Sequence, residues 1–340
     1  MRSVIGQRRL LERLGEQAVR GDVAHAYELS GPRSIGKHLV AVRIAQTLNC
    51  GARTVAAGGC GECVACRKIE RGVHPDVLVV TRSDDNKKNI SIEQIRAMQQ
   101  DLALRPLEGR RRVVIVDDAA DLSEHAEVAL LKTLEEPPAH AVLLLITPTP
   151  ARLLETIRSR VQPLPFRLVA RAEIERGVVE RFGAEAARHA AAAAGRPGVA
   201  IALATDDALR AARRALETEF YRLVGSRLTD RFAWAADLAE SERDTQRRND
   251  AIASRLVAWG ELLRDAAVTA SGASERSVRP DRASETARLA SAVGARELVD
   301  LGQSLERWRR DVVESTVNAR MLLELFSLKL PYRADFAGAT

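Results

Sequence analysis

The sequence predicts a doubly wound α/β domain over its first half and an all-helical region after it. Three observations carry this reading. Nearly continuous Val, Leu and Ile runs alternate with helical patterns up to about residue 166. No strand pattern remains beyond Phe166. A phosphate-loop pattern follows the first apolar run and opens a helix, the context in which such a loop is meaningful.

Strands are expected at 26–30, 77–80, 113–116 and 142–146, because their nearly continuous apolar character suits parallel strands covered on both faces. Helices are expected between them at 37–47, 92–102 and 124–135. An Ala-rich helix should end at Gly195, and a new one should start near Pro197, a good first-turn residue. From about 208 to 330 the pattern is long amphipathic helices. Two polar stretches, 241–250 and 271–284, are expected as loops, the second with little order. Trp234, Trp259 and Trp308 all lie in this last region and are expected to anchor its core.

Of the 340 residues, 46% are hydrophobic but only 4% aromatic, so the core must consist mainly of Leu, Val, Ile and Ala. The formal charge of +6 permits contact with nucleic acid, although a solvated Arg-rich surface carries the same charge. No apolar run approaches the roughly 20 residues that span a bilayer, and residues 1–7 lack a signal-peptide core. A cytoplasmic protein with no membrane partner is expected, in which disulfides seldom persist.

Gly31-Pro32-Arg33-Ser34-Ile35-Gly36-Lys37-His38 matches a phosphate-binding loop up to its last residue. Such a loop brings backbone N–H groups to phosphate, a Lys to the β/γ oxygens, and a Ser or Thr hydroxyl to Mg²⁺. His38 stands where the hydroxyl should be, and an imidazole is a poor Mg²⁺ ligand. Some 80 residues on, the apolar run 112–116 ends in Asp117 and Asp118. This is a Walker B-like arrangement, whose first acid orients Mg²⁺ and whose second, normally Glu, positions the attacking water. Asp118 is one methylene shorter than Glu, a displacement that costs rate.

All four cysteines of the chain, Cys50, Cys60, Cys63 and Cys66, fall between 50 and 66. Four thiolates at these spacings suit a closed, structural Zn²⁺ site. A redox dithiol or plain buried cysteines are the alternatives, but a dithiol needs only two.

Ala129-Leu130-Leu131-Lys132-Thr133-Leu134-Glu135-Glu136-Pro137-Pro138 is a helix stopped by a proline pair. This string resembles a signature of the clamp-loader AAA+ proteins. Val4-Ile5-Gly6-Gln7, His25-Ala26-Tyr27, His74-Pro75-Asp76, Ile92-Glu93-Gln94-Ile95-Arg96, Ser159-Arg160-Val161 and Asn318-Ala319-Arg320-Met321-Leu322-Leu323-Glu324 extend the resemblance over nearly the whole chain.

The resemblance implies an AAA+ P-loop domain at 1–166 with an inserted zinc module at about 50–66. A small helical lid at 167–207, a helical collar for oligomerisation at 208–330 and a tail at 331–340 would follow. It implies that Arg160 serves as an arginine finger in a neighbour's ATP site; capping its own helix or pairing with a carboxylate is the plain alternative. The implied partners are tau/gamma and delta subunits, with the sliding clamp and primed DNA reached through the complex. ATP or ADP is an expected ligand of doubtful retention, and Zn²⁺ an expected structural ion.

His38, Asp118 and the helix start Gly195-Arg196-Pro197-Gly198 depart from the family's ATP-hydrolysing subunits and are like its delta-prime members. Ser34 stands where those ATPases usually have Gly. The rival readings are an active tau/gamma-like ATPase and a zinc-dependent interaction module that binds no nucleotide.

Overall fold

The computed structural model describes residues 4–52, 58–82, 89–313, 317–333 and 336. The expected zinc module and the tail each run partly outside these residues. The chain divides into two compact units, Met1–Ala200 and Ile201–Thr340, so residues 167–200 of the expected lid lie in the first.

The first unit is built on a parallel sheet of Ala26–Ser30 (β1), Val77–Val80 (β2), Arg112–Val116 (β3), Ala141–Thr147 (β4) and Gln162–Pro165 (β5), in the order β2-β3-β4-β1-β5. Every residue of β1, β3 and β4 is buried, as the apolar runs 113–116 and 141–146 require, and the burial extends to the polar Glu28 and Ser30 of β1. Its helices are Arg8–Arg20 (α1), Lys37–Asn49 (α2), Val64–Glu70 (α3), Ile92–Ala103 (α4), Glu124–Glu135 (α5), Glu155–Arg158 (α6), Arg171–Phe182 (α7), Arg188–Ala192 (α8) and Pro197–Thr205 (α9), the last running across the unit boundary. Local sequence sets their starts. Ser91 and Gln94 form a capping box on α4, and the Ser123 hydroxyl accepts the Ala126 N–H at the head of α5.

β5 was not expected. Gln162-Pro163-Leu164-Pro165 holds two prolines and only Leu164 is buried, so it has no apolar run to read. An edge position tolerates proline because one side of the strand needs no ladder donors.

The second unit contains Asp207–Gly225 (α10), Leu228–Glu240 (α11), Thr245–Ala270 (α12), Ala283–Ala292 (α13), Ala295–Val313 (α14) and Ala319–Lys329 (α15). Its core gathers Phe220, Tyr221, Trp259 and Phe326 with Leu from every long helix, and Trp234 packs against it. Trp259 is fully buried and Trp308 nearly so, as expected of core anchors.

The first expected loop holds only for 241–244, and the second holds as a largely non-helical stretch but not as one with little order. Residues 245–250 belong to α12, because Asp244 caps it by accepting the Arg247 N–H. Residues 271–284 include two short 3₁₀ turns and are ordered by the fully buried Asp265. Its carboxylate accepts the Ser277 hydroxyl and the Val278 and Arg279 N–H groups.

Candidate nucleotide and metal sites

The phosphate loop leaves the carboxyl end of β1 and opens α2, and the two acids leave the carboxyl end of β3. With β4 lying between these strands, both groups face the same edge of the sheet, where ligands of open α/β folds bind. Lys37 is buried, and its ammonium donates to the carbonyls of Gly31 (2.7 Å) and Pro32 (2.9 Å). Burial lowers its pKa, with the Asp118 and Asp117 charges working the other way.

His38 is half exposed, and its Nδ1 lies 2.8 Å from Asp117 Oδ2. This hydrogen bond raises the His38 pKa against the opposing effect of burial, and it is the leading cause of the lowered Asp117 pKa. The other Asp117 oxygen accepts the Asp118 N–H at 3.1 Å, and Asp118 Oδ2 meets the Arg33 guanidinium at 3.5 Å. The donor set does not fit Mg²⁺. That ion needs near-octahedral oxygen ligands, but an imidazole stands at the hydroxyl position and both Asp117 oxygens are engaged within the protein.

Two residues of this site adopt left-handed backbone: Ser34 at φ 61° and Asp118 at φ 55°. For Ser34 this explains why a Gly suits the position better. Gly198, at the head of α9, donates its N–H to the Ser34 carbonyl at 2.8 Å. A Cβ on residue 198 would come within 2.8 Å of that oxygen, so only Gly allows this approach. Gly198, part of the helix start that departs from the family's ATP-hydrolysing subunits, is therefore packed directly on the loop.

The four cysteines converge. Their sulfurs all lie within 4.8 Å of one another, against about 3.8 Å for sulfurs sharing one tetrahedral Zn²⁺ at ordinary bond lengths. N–H groups of Cys60, Cys63 and Cys66 point to the sulfurs of Cys50, Cys60 and Cys63 at 3.3–3.5 Å. Gly59 has φ 72°, and a Cβ there would stand 2.8 Å from Cys66 Sγ. Burial pushes the Cys66 thiol up to about 12. At Cys63 burial also opposes ionisation, but N–H donors from Cys66 and Gly51 outweigh it and bring the thiol to about 6. Sulfur donors in a glycine-shaped cradle fit Zn²⁺.

Arg160 follows α6 and is partly exposed. It pairs with Glu135 at the end of α5 (3.0 Å) and donates to the Thr156 carbonyl (2.9 Å) and the Ser159 hydroxyl (3.2 Å). Within this chain it takes both of the plain roles, helix capping and carboxylate pairing.

The sequence pattern did not reveal two polar hubs, although Asp76 stands in the His74-Pro75-Asp76 string of the family resemblance. Asp76 is buried and receives the N–H groups of Leu107, Glu108 and Gly109, while Asn49 Oδ1 receives those of Arg110 and Arg111. Together they fix the turn leading into β3, and thereby the strand that carries Asp117.

Residues 6–170 match a family model described as "DNA polymerase III, delta subunit". The chain is 43% identical over 163 residues to the DNA polymerase III subunit delta' of Pseudomonas aeruginosa, covering 47% of this chain and 48% of that one. It is 38% identical over 167 residues to the DNA polymerase III subunit tau of Escherichia coli, covering 49% and 25%. The chain thus spans half or less of the length of these relatives. Among solved structures, a Bacillus subtilis DNA clamp loader delta protein aligns over 94% of this chain and 99% of that chain, with 17% identity and a TM-score of 0.37. No helix among the described residues is long and apolar enough to cross a membrane.

Proposed function

We propose, from the membership of residues 6–170 in the family of DNA polymerase III clamp-loader subunits, that this chain is a delta-prime-type subunit of a bacterial clamp loader. It hydrolyses little or no ATP itself. It completes the ATP site of a neighbouring tau/gamma subunit with Arg160 and, with delta, helps to place the sliding clamp on primed DNA in the cytoplasm.

One observation carries this reading above an active ATPase: His38 is committed to Asp117 at 2.8 Å. The residue at the hydroxyl position and the first of the two acids are thereby bonded to each other instead of being open to Mg²⁺. Arg160 supports the second half of the proposal. It is held at the surface by an exposed carboxylate and can be transferred to a γ-phosphate, whose charge a guanidinium stabilises in the transition state. The cysteine cluster holds one structural Zn²⁺ in this reading. Residues 1–166, 167–207 and 208–330 act as nucleotide-binding-like domain, lid and oligomerising collar.

The similarity to tau subunits favours, as a second reading, an active ATPase. Turnover by the isolated chain separates the two, since an ordinary enzyme would reach about 1 s⁻¹ or more. The finger is tested by Arg160→Ala in a loader reconstituted with tau/gamma and delta. Fingers contribute about 10³–10⁵ in rate, so assembly should persist while the share of steady-state ATPase from the adjoining site is lost. An unchanged rate in an intact complex refutes the assignment.

A further inference from the structure

The proposed reading leaves open what the phosphate loop of this chain does, and the inference drawn here rests on the loop part of that reading alone. We infer that the loop binds the polyphosphate of a nucleotide without a divalent cation, and that His38 is the residue that excludes the metal.

The loop keeps what an anion needs. Gly31 and Gly36 retain the family spacing, Lys37 is buried at the head of a 13-residue helix, and the helix carries no acid in its first turn. Among the described residues, Lys37 is held by two carbonyls of the loop itself, Gly31 and Pro32, which are exchangeable neutral partners. No carboxylate would have to be displaced from Lys37 for a phosphate oxygen to replace them.

The metal half of the site is different. Mg²⁺ would have to displace His38 from Asp117 Oδ2 and the Asp118 N–H from Oδ1, and it would gain no hydroxyl in return. Asp118 does not compensate, because Arg33 faces its carboxylate. Positive charge beside the phosphates then comes from Lys37, Arg33 and the His38 ring rather than from a bound ion. A nucleotide held this way lacks the ion that bridges β- and γ-oxygens during phosphoryl transfer.

The test is calorimetric titration of the full chain with ADP and with ATP, in EDTA and in excess Mg²⁺, alongside His38→Ser. For the natural chain, affinity in EDTA and in Mg²⁺ should agree within about threefold. For His38→Ser, Mg²⁺ should tighten binding by at least tenfold, because a hydroxyl is restored and Asp117 is released. Three results overturn the inference: a tenfold gain from Mg²⁺ in the natural chain, a His38→Ser protein still indifferent to Mg²⁺, or no binding at millimolar nucleotide by a folded chain. None of these depends on Arg160. Loss of the finger assignment in the reconstituted loader would leave this inference standing, and its own failure would leave the finger untouched.

Discussion

Arg231 offers the sharpest test of how the helical unit is held together. It is 3% exposed, and all five of its N–H groups are taken by carbonyls. Nε donates to Leu223, Nη1 to Ser327 and Leu330, and Nη2 to Val224 and Pro331, at 2.5–3.1 Å. These carbonyls close the C-terminal ends of α10 and α15, where backbone acceptors lack helical partners and the helix dipoles favour a cation. Pro331 has no N–H to offer the Ser327 carbonyl four residues earlier, so the guanidinium supplies the donor. In Arg231→Met, Leu223 keeps the Ser226 N–H and Val224 keeps the Arg333 N–H, but Ser327, Leu330 and Pro331 lose the guanidinium donors. At about 1–3 kcal/mol for each stranded acceptor, the gross loss is about 3–9 kcal/mol. Part is recovered because the buried charge, whose pKa burial already lowers, no longer has to be desolvated. A net loss of about 3–4 kcal/mol is expected, and about 2 kcal/mol for Arg231→Lys, which retains three donors. All three tryptophans lie in this unit, so urea unfolding followed by tryptophan fluorescence reads it directly. A shift of the Met variant by less than about 1 kcal/mol at unchanged m-value would refute the capping argument.

Two further outcomes are expected in the first unit. Asp76→Asn can present only one acceptor oxygen where Oδ1 and Oδ2 now receive three N–H groups, so a loss of about 2–3 kcal/mol is expected by chemical denaturation. Burial opposes ionisation of Asp76, but the N–H donors and Arg112 outweigh it and hold its pKa below the ordinary value. Its contribution is therefore present above about pH 3.9 and is lost as pH falls through the lowered folded value. An Asn variant whose acid limb matches that of the parent would contradict this. For the cysteines, protein purified without chelator should carry about one Zn²⁺ per chain. Cys63→Ser should lose the ion and lower Tm by at least about 5 °C, whereas equal stability with no metal in the parent would remove the zinc assignment.

The parallel sheet was legible where burial leaves a continuous apolar run, as in β3 and β4, and illegible in β5, where prolines break the run. The start of α12 was hidden because a capped first turn facing solvent is as polar as a loop; Asp244 was the readable signal. The loop at 31–38 and the cysteine cluster were legible because their chemistry lies within a few consecutive residues. The His38–Asp117 bond joins residues 79 apart and depends on β4 lying between β1 and β3, which local pattern does not state. Arg231 and Asp76 bind backbone groups, and any residue can supply those, so no partner residue type marks them in the sequence.

The same contrast separates fixed charges from exchangeable ones. Arg231 and Asp76 are buried and satisfied by several backbone groups each, so moving either would strand buried polar atoms. Arg160 pairs with one carboxylate that is about half exposed, and exposed pairs contribute only about 0.2–1 kcal/mol. Its bonds to the Thr156 carbonyl and the Ser159 hydroxyl are also open to replacement by water. A guanidinium held this loosely can exchange Glu135 for another anion at little cost. His38 lies between these cases. It is half exposed, but its partner Asp117 has, among the described residues, only the Asp118 N–H as a further hydrogen-bond donor, so releasing His38 would leave that carboxylate with a single neighbouring N–H. On this ordering Arg160 is the readily exchanged charge, as the proposed finger role requires, while His38 and Asp117 remain bound to each other.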